Sequence, residues 1–306
     1  RVVQRFFPGA GGFDEDRQLV ADLLLPDIFG QQFGPQGALH RLLVLYLVRT
    51  LGLRRVWLVP AGFLAWGYLF ATQSNFKYVR DHYGGINTWD VVATAFASPI
   101  CDMWLFVFAF GLLLADSLRI DHQEGFWAVV LTRSPSRATC WLAKIASIAA
   151  LAMLYVLIAM LALTVAAALA GVPLGLADSP ASRAGVPIAE SYAWYPRDFS
   201  LPVAAFVPLI ALYKAAILWM LGSIMLAASL PAGNLVASLA VPIGWVAFSA
   251  GADAGGRGGR SPYWLLYDVR VFTSYHKHFW QGATVSLAIF LAIVLGLIGV
   301  AGLVGV

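Results

Sequence analysis

The residues best suited to chemistry lie in one polar stretch, Leu112–Lys144, which separates two long apolar runs. Carboxylates come first, the apolar run Phe126–Leu131 follows, and basic side chains close the stretch. Its charged members include Asp116, Asp121, Glu124, Arg133, Arg137 and Lys144. The apolar residues recur at helical spacing and suit a partner's groove, while Arg133 and Arg137 lie one turn apart and can pair with carboxylates or headgroups. This pattern predicts docking on a surface outside the membrane.

Signatures of catalysis are weak in the rest of the chain. The Gly-rich run Gly255–Arg260 lacks the lysine of a phosphate-binding P-loop, so ATP hydrolysis by this chain is not expected. His276 and His278 are two residues apart without an acidic or cysteine neighbour, so we predict no metal site. Cys101 and Cys140 fall near opposite ends of apolar runs and are not expected to form a disulfide. The sequence therefore predicts a protein that is not an enzyme.

Lys214 is a charged residue near the centre of the apolar segment Pro202–Leu230. A charge there costs several kcal/mol and usually faces a cavity or a partner. One interpretation makes Lys214, with Asp102 and Tyr213, part of a substrate pathway that contacts an anionic or lipid-like molecule. In the other, the span begins only at Ala211 and the Lys214 side chain reaches the membrane surface along its aliphatic stem.

The composition indicates what must position these residues. Of 306 residues, 60% are hydrophobic and 12% are charged, and the mean hydropathy is +0.77. Soluble domains average about 25% charged residues. Apolar runs near or above the length of about 18 residues that crosses a bilayer recur along the chain. We therefore predict an all-α polytopic membrane protein.

Six transmembrane helices are predicted from the apolar runs. They are Trp57–Thr72, Val92–Leu118, Ile145–Gly171, Pro202–Leu230, Gly233–Gly251 and Trp280–Val306. Residues 1–55 form a cytoplasmic and interfacial N-terminal segment, and residues 56–306 form the transmembrane domain. Within that domain, residues 117–144 connect spans two and three, and residues 252–278 form a large outer segment. Outer loops are also expected at Ser74–Trp89 and Val172–Ser200.

The arginines around Leu42–Val48 suggest a helix that lies in the membrane interface. The alternative is an extension of the first span. The side of the membrane that would hold the N-terminus carries the larger share of Lys and Arg, including those beside the first two spans. We therefore expect a multi-pass protein of the cell (inner or plasma) membrane with both termini cytoplasmic.

The polar connection resembles a segment in the permease subunits of type-2 ABC exporters, the ABC-2 family. That segment runs from acids through Glu, Gly and an apolar run to Pro-x-Ser-Arg and a later Lys. Here it reads DHQEGFWAVVLTRSPSRATCWLAK, with Gly125, Arg137 and Lys144 in the family's order. It departs in three places: Glu124 abuts the glycine, the proline comes one place late, and Phe-Trp replaces Thr-Leu after the glycine. The whole predicted architecture is also similar to that of the family.

The resemblance implies that residues 117–144 include a coupling helix that inserts into a groove of a separate ATPase subunit. Its contact residues would be Glu124, Gly125, Phe126, Trp127, Arg133 and Arg137. ATP and Mg would be bound by that partner, with no cofactor in this chain. Two permease copies, as a homodimer or heterodimer, would work with two ATPase copies and pass substrate along the permease interface. The alternative is an interfacial helix that merely anchors the connection.

Two other functions compete with an ATP-driven exporter. A secondary transporter would use paired intramembrane charges or interrupted helices, and Asp102 and Lys214 are the candidate residues for an intramembrane Lys/Asp site. A membrane-embedded enzyme acting on lipid would need His, Asp and Glu clustered at one depth, and the sequence has no such cluster. Both alternatives predict a chain that is active without ATP, and neither involves nucleic acid.

Overall fold

The computed structural model describes residues 35–52, 54–82, 85–98, 101–123, 136–175, 177–183, 203–232, 239–245, 247 and 287–304. Throughout these ranges the regular structure is helical, with no strand. The helices are α1 (Pro35–Leu51), α2 (Leu58–Ala71), α3 (Ser74–His82), α4 (Thr88–Ala97), α5 (Ala109–Gln123), α6 (Arg137–Leu169), α7 (Pro180–Arg183), α8 (Val203–Ala232) and α9 (Leu287–Val304). A 3₁₀ turn covers Arg54–Trp57, a π-helix covers Cys101–Phe108, and residues 239–245 are also helical.

Three helical stretches are long and apolar enough to cross a membrane. They are Met103–Asp121, Arg137–Leu169 and Val207–Ser229. Leu58–Ala71 and Ala292–Ala301 are apolar but shorter. These stretches confirm the class expected from the sequence, an all-helical membrane protein. The six-span count stays a prediction, since most of the fifth predicted span and all of the 252–278 segment lie outside the described residues.

The second predicted span, Val92–Leu118, is not one continuous helix. Helix α4 ends at Ala97, Ser98 is extended (φ −70°, ψ 125°), and the chain resumes as the π-helix before α5 begins. The residue after Ser98 is a proline, which disfavours helical backbone in the residue before it and has no N–H to donate. The membrane-length stretch in this region is Met103–Asp121, so the second predicted span begins later than Val92 and ends slightly beyond Leu118.

The outer loop predicted at Ser74–Trp89 is also more ordered than expected. It contains all of α3 and the start of α4. The Asn87 side chain accepts a hydrogen bond from the Asp90 backbone, and the Asp90 carboxylate accepts one from the Asn87 backbone. This capping box satisfies N–H groups that a helix start leaves without partners, so α4 begins sharply.

Helices α5 and α6 extend well into the connection predicted at residues 117–144. Residues 117–123 complete α5, and α6 begins at Arg137 behind Ser136, whose hydroxyl accepts from the Thr139 N–H at 3.1 Å. The separate polar segment is therefore confined to residues 124–135, which lie outside the described residues. With 33 residues, α6 is about 50 Å long, well beyond a hydrocarbon core of about 30 Å.

The core forms where α1, α2, α4 and α8 pack on α6. A Cβ at Gly67 of α2 would lie 2.8 Å from the Leu163 side chain, and one at Gly222 of α8 would lie 2.5 Å from Ile148 Cγ2. An added Cβ at either crossing would force a neighbouring side chain or helix to shift, so glycine allows the close approach. Cys101 of the π-helix and Cys140 of α6 are both buried.

Helix α1 is separate from α2, with Gly52 and the 3₁₀ turn between them, so α1 is not an extension of the first span. Leu42 and Tyr46 pack against Cys140 and Ala143 near the start of α6. This contact brings α1 to the ends of the helices that flank residues 124–135.

Candidate functional site

A buried group of charges lies where α1, α5 and α6 meet. Asp121 is 0% exposed, and the Lys144 Nζ donates to its Oδ2 at 2.7 Å. Arg49 Nε lies 3.0 Å from the other carboxylate oxygen, Oδ1. The Lys144 Nζ also lies 4.3 Å from the centre of the Tyr46 ring, within the range of a cation–π contact. These four residues are called the Asp121 cluster below.

The two cations do not hold the carboxylate in the same way. Lys144 forms a charge-assisted hydrogen bond, whereas Oδ1 has no donor in hydrogen-bond geometry although Arg49 is close enough for an ion pair. Lys144 is nearly as buried as Asp121, but the Arg49 side chain is 23% exposed. Lys144 is therefore the buried, hydrogen-bonded partner of the carboxylate, and Arg49 is its partly exposed ion-pair partner.

Tyr46 supports the cluster as a neutral side chain. Burial raises the pKa of the Tyr46 phenol above its ordinary value, and the negative charge of Asp121 raises it further. The phenol therefore stays protonated around neutral pH, and its ring remains a surface for the Lys144 ammonium.

A second polar contact joins α1 to α5 beside the cluster. The hydroxyls of Thr50 and Ser117 are 3.1 Å apart, and Thr50 also donates to the Tyr46 carbonyl at 2.9 Å. Both hydroxyl residues are buried. The ion pairs and this hydrogen bond together fasten α1, the end of α5 and the start of α6 to one another. The arrangement fixes the two helices that flank residues 124–135.

The residues predicted to contact an ATPase fall mostly outside the described residues: Glu124, Gly125, Phe126, Trp127 and Arg133. Arg137 is described, and it is the exposed first residue of α6. Lys144, the last residue of the sequence pattern, is instead buried on Asp121. The sequence analysis did not predict this pairing. Acidic residues at one end of a connection between adjacent spans, with basic residues at its other end, could have indicated that they pair.

Lys214 is the second buried cation. It lies on α8 and is 1% exposed, with its Nζ 5.4 Å from the centre of the Phe106 ring. Helix α8 runs without interruption from Val203, and its membrane-length apolar stretch begins at Val207. The interpretation in which a span begins at Ala211 and Lys214 reaches the surface does not fit this placement.

Aromatic rings from several helices converge on Phe106. Phe63 of α2 and Phe96 of α4 both have ring centres 5.2 Å from it, and Tyr155 of α6 lies 6.3 Å away. Phe110 packs on Tyr155 at 5.3 Å. Each of these five residues belongs to a different element, so the group marks a junction in the bundle. Phe63, Phe96, Phe106, Phe110 and Tyr155 are called the aromatic cluster below.

The π-helix holds Phe106 at this junction. The Tyr155 hydroxyl donates a hydrogen bond to the carbonyl of Leu105 within the π-helix. Wide π turns are rare and are frequent at functional sites. Asp102 lies on the same π-helix, although its side chain lies outside the described part of the chain. Tyr213, the neighbour of Lys214 in sequence, is buried.

Within the described ranges, no three His, Cys, Asp or Glu residues come together as a possible metal site. His276 and His278 lie outside those ranges. Comparison of the chain with protein-family models, curated proteins and solved structures finds no match. The two buried lysines and their surroundings are therefore the basis for any functional proposal.

Proposed function

We propose that this chain is the membrane-spanning permease subunit of an ATP-driven exporter of the ABC-2 type. It moves a substrate across the cell membrane and draws energy from a separate ATPase subunit. That subunit docks on residues 124–135 and Arg137, with Glu124, Gly125, Phe126, Trp127 and Arg133 as the other contacts. The support is the sequence pattern of this connection together with the Asp121 cluster at its base.

The Asp121 cluster is the observation that carries the proposal. A loop that only joins two spans has no need of a buried carboxylate shared by two cations, which is expensive to desolvate. A loop that receives force from a partner needs rigid attachments to the helices on both sides. The cluster supplies such attachments, because Asp121 is on α5, Lys144 is on α6 and Arg49 is on α1.

Helix α6 can carry a displacement from this end across the membrane. Besides the Lys144 contact, it is tied to the interrupted second span by the Tyr155–Leu105 hydrogen bond. Beyond its other end, the Pro173 carbonyl accepts from the Thr88 N–H at 3.1 Å. The second span and α6 are thus joined at three levels and are expected to move as one unit.

The partners follow from the same proposal. Two permease copies assemble with two ATPase copies, which bind ATP and Mg. Binding of ATP closes the ATPase pair, moves the docking segments and exposes the substrate pathway alternately to the two sides of the membrane. The pathway includes Lys214 and Tyr213, with Asp102 on the neighbouring π-helix. The Asp121 cluster lies on the cytoplasmic side.

Affinity purification of the tagged chain from its native host tests the proposal. A protein with a P-loop should accompany the chain in stoichiometric amount, and its ATP hydrolysis should be coupled to transport. Replacing Arg137 and Glu124 together should reduce that association or uncouple hydrolysis. The matched control is Lys77→Met on α3, which is exposed and distant in sequence from the docking segment. Transport that persists without any ATPase would refute the proposal.

A secondary transporter is the second candidate, and two observations favour it. The helix that starts the predicted second span ends at Ala97, where Ser98 is extended, and the buried Lys214 lies against the π-helix that begins at Cys101. Interrupted helices and buried charges form substrate and ion sites in such transporters. Purified chain in liposomes with an imposed proton or sodium gradient distinguishes the two functions, because only a secondary transporter accumulates substrate there without ATP.

A further inference from the structure

We propose that the π-helix Cys101–Phe108 is a register switch, a segment with two states that differ in their backbone hydrogen bonds. The Tyr155 hydroxyl stabilises the wide state seen here through its bond to the Leu105 carbonyl. In the second state, residues 101–104 form ordinary α turns and are rotated relative to α5. This inference goes beyond the proposed function and does not depend on it, because such a switch would serve an ATP-driven permease and a secondary transporter equally.

The place of the wide turns supplies the first part of the argument. Turns with i→i+5 bonds are rare and are frequent at functional sites. Here they cover eight residues, lead directly into α5 and overlap the membrane-length stretch Met103–Asp121. A return to i→i+4 bonding shifts each hydrogen bond by one residue, which in an α-helix corresponds to a rotation of about 100° and a rise of about 1.5 Å. The two states therefore differ by a large rotation and a small displacement.

The hydrogen bond from Tyr155 is the second part. Where i→i+5 bonding passes into i→i+4 bonding, two carbonyls compete for one N–H, and one of them needs a donor from elsewhere. Leu105 lies in the second half of the π-helix, shortly before α5 begins at Ala109, and its carbonyl accepts from the Tyr155 hydroxyl of α6. The side chain of a neighbouring helix thus supplies a donor at the change of register. In the α state the Leu105 carbonyl would accept from the backbone and release Tyr155.

The chain on either side of residues 101–104 permits this rotation. On one side, α4 has already ended and Ser98 is extended (φ −70°, ψ 125°), so α4 does not have to turn with these residues. On the other side, Phe106 is 0% exposed, and the ring centres of Phe63 and Phe96 each lie 5.2 Å from its own. The rotation is therefore confined to the short segment between the extended residue and the fixed ring.

The surroundings of the rotating segment differ from one side to the other. Cys101 is 0% exposed, whereas Trp104 is 53% exposed on the outside of the bundle. The open side leaves room into which side chains can turn, and a rotation of about 100° removes Cys101 from its present contacts. A buried thiol is inert toward reagents, and its reactivity rises when it is exposed. Cys101 is therefore a native reporter of the register.

Thiol labelling tests the inference, because the chain carries a matched control. Cys140 is also 0% exposed but lies on the uninterrupted helix α6. The full chain, with any co-purifying subunit, is purified in detergent and treated with N-ethylmaleimide, and mass spectrometry follows each thiol separately. We expect Tyr155→Phe to raise the labelling rate of Cys101 about fivefold, the change that corresponds to a hydrogen bond of about 1 kcal/mol, and to leave the rate of Cys140 unchanged.

A deletion tests the geometry of the two registers. Removing Met103 takes out the one residue by which i→i+5 bonding exceeds i→i+4 bonding, so the remaining segment fits α turns without a donor from Tyr155. In this background Tyr155→Phe should no longer change the labelling of Cys101. If the deletion prevents folding, hydrogen exchange of the undeleted chain carries the test. In Tyr155→Phe, the amides of residues 101–108 should exchange about fivefold faster while those of α8 stay unchanged.

Three results would overturn the switch. Unchanged labelling of Cys101 in Tyr155→Phe would show a rigid π-helix, and equal acceleration of Cys101 and Cys140 would show general loosening of the bundle. An effect of Tyr155→Phe that persists after deletion of Met103 would show lost packing in place of a change of register. Each of these could occur while an ATPase still co-purifies, so the permease role would survive. Absence of an ATPase would count against that role alone.

Discussion

Replacing Lys144 by Met is the sharpest test of the Asp121 cluster. Met keeps most of the apolar volume of the lysine stem and removes only the ammonium. The carboxylate of Asp121 then stays fully buried with Arg49 as its sole cation from the cluster, in a contact that lacks hydrogen-bond geometry. Removing one partner of a buried ion pair costs about 3–5 kcal/mol. We expect Lys144→Met to lose that much free energy of unfolding.

The reasoning also predicts a rescue. In the double variant Asp121→Leu with Lys144→Met, no buried charge is left without its partner, and Arg49 can turn its partly exposed side chain to solvent. Replacing a buried ion pair by apolar residues of similar volume is often neutral or stabilising. The two single losses would sum to about 6–10 kcal/mol, yet the double variant should lie within about 1 kcal/mol of the parent.

Reversible unfolding in mixed detergent micelles, followed by circular dichroism, measures these free energies. Lys77→Met on the exposed α3 is the matched control and should leave stability unchanged. Independent sites add within about 0.5 kcal/mol. A double variant whose loss equals the sum of the single losses would show that Asp121 and Lys144 are not coupled, and the cluster as described would be wrong. Under the proposed function, stability restored without restored coupling to ATP hydrolysis would show that the cluster also transmits force.

The remaining predictions concern helix contacts and use the same unfolding measurement. Gly222→Ala should destabilise the chain by about 1–3 kcal/mol through overpacking. Adding Ile148→Ala to this variant should recover part of the loss, because it removes the Cγ2 atom that the new methyl group meets. A loss that Ile148→Ala only increases would contradict the close crossing. Tyr155→Phe should cost about 1 kcal/mol because the partly buried Leu105 carbonyl loses this donor. No change would mean that this bond does not hold the π turn. Asn87→Ala should cost about 0.5–2 kcal/mol through loss of the α4 cap, whereas equal stability would show that the cap is dispensable.

The sequence was sufficient for the class of structure and for the main helices. Apolar runs of membrane length predicted α6 and α8, because a backbone inside lipid must satisfy its hydrogen bonds within the segment. Clusters of arginine beside a short apolar run predicted α1 as a separate helix. Pro99 was a readable sign that the second span breaks, but hydropathy averaged over a window conceals a single proline. The docking role of residues 124–135 and the number of spans stay predictions from sequence.

Only the tertiary structure decided which charged residues are buried together. Asp121 and Lys144 are 23 residues apart, and their pairing depends on how α5 and α6 pack. Lys214 could reach the surface or enter the bundle from the same helix, and the rotation of α8 against Phe106 settles that choice. Hydropathy measures whether a segment prefers lipid, whereas the partner of a charge is set by helix rotation and crossing. For that reason the sequence determined a helical membrane protein with a charged connection. The packing of the helices decided that Asp121 and Lys144, at the two ends of this connection, are buried against each other.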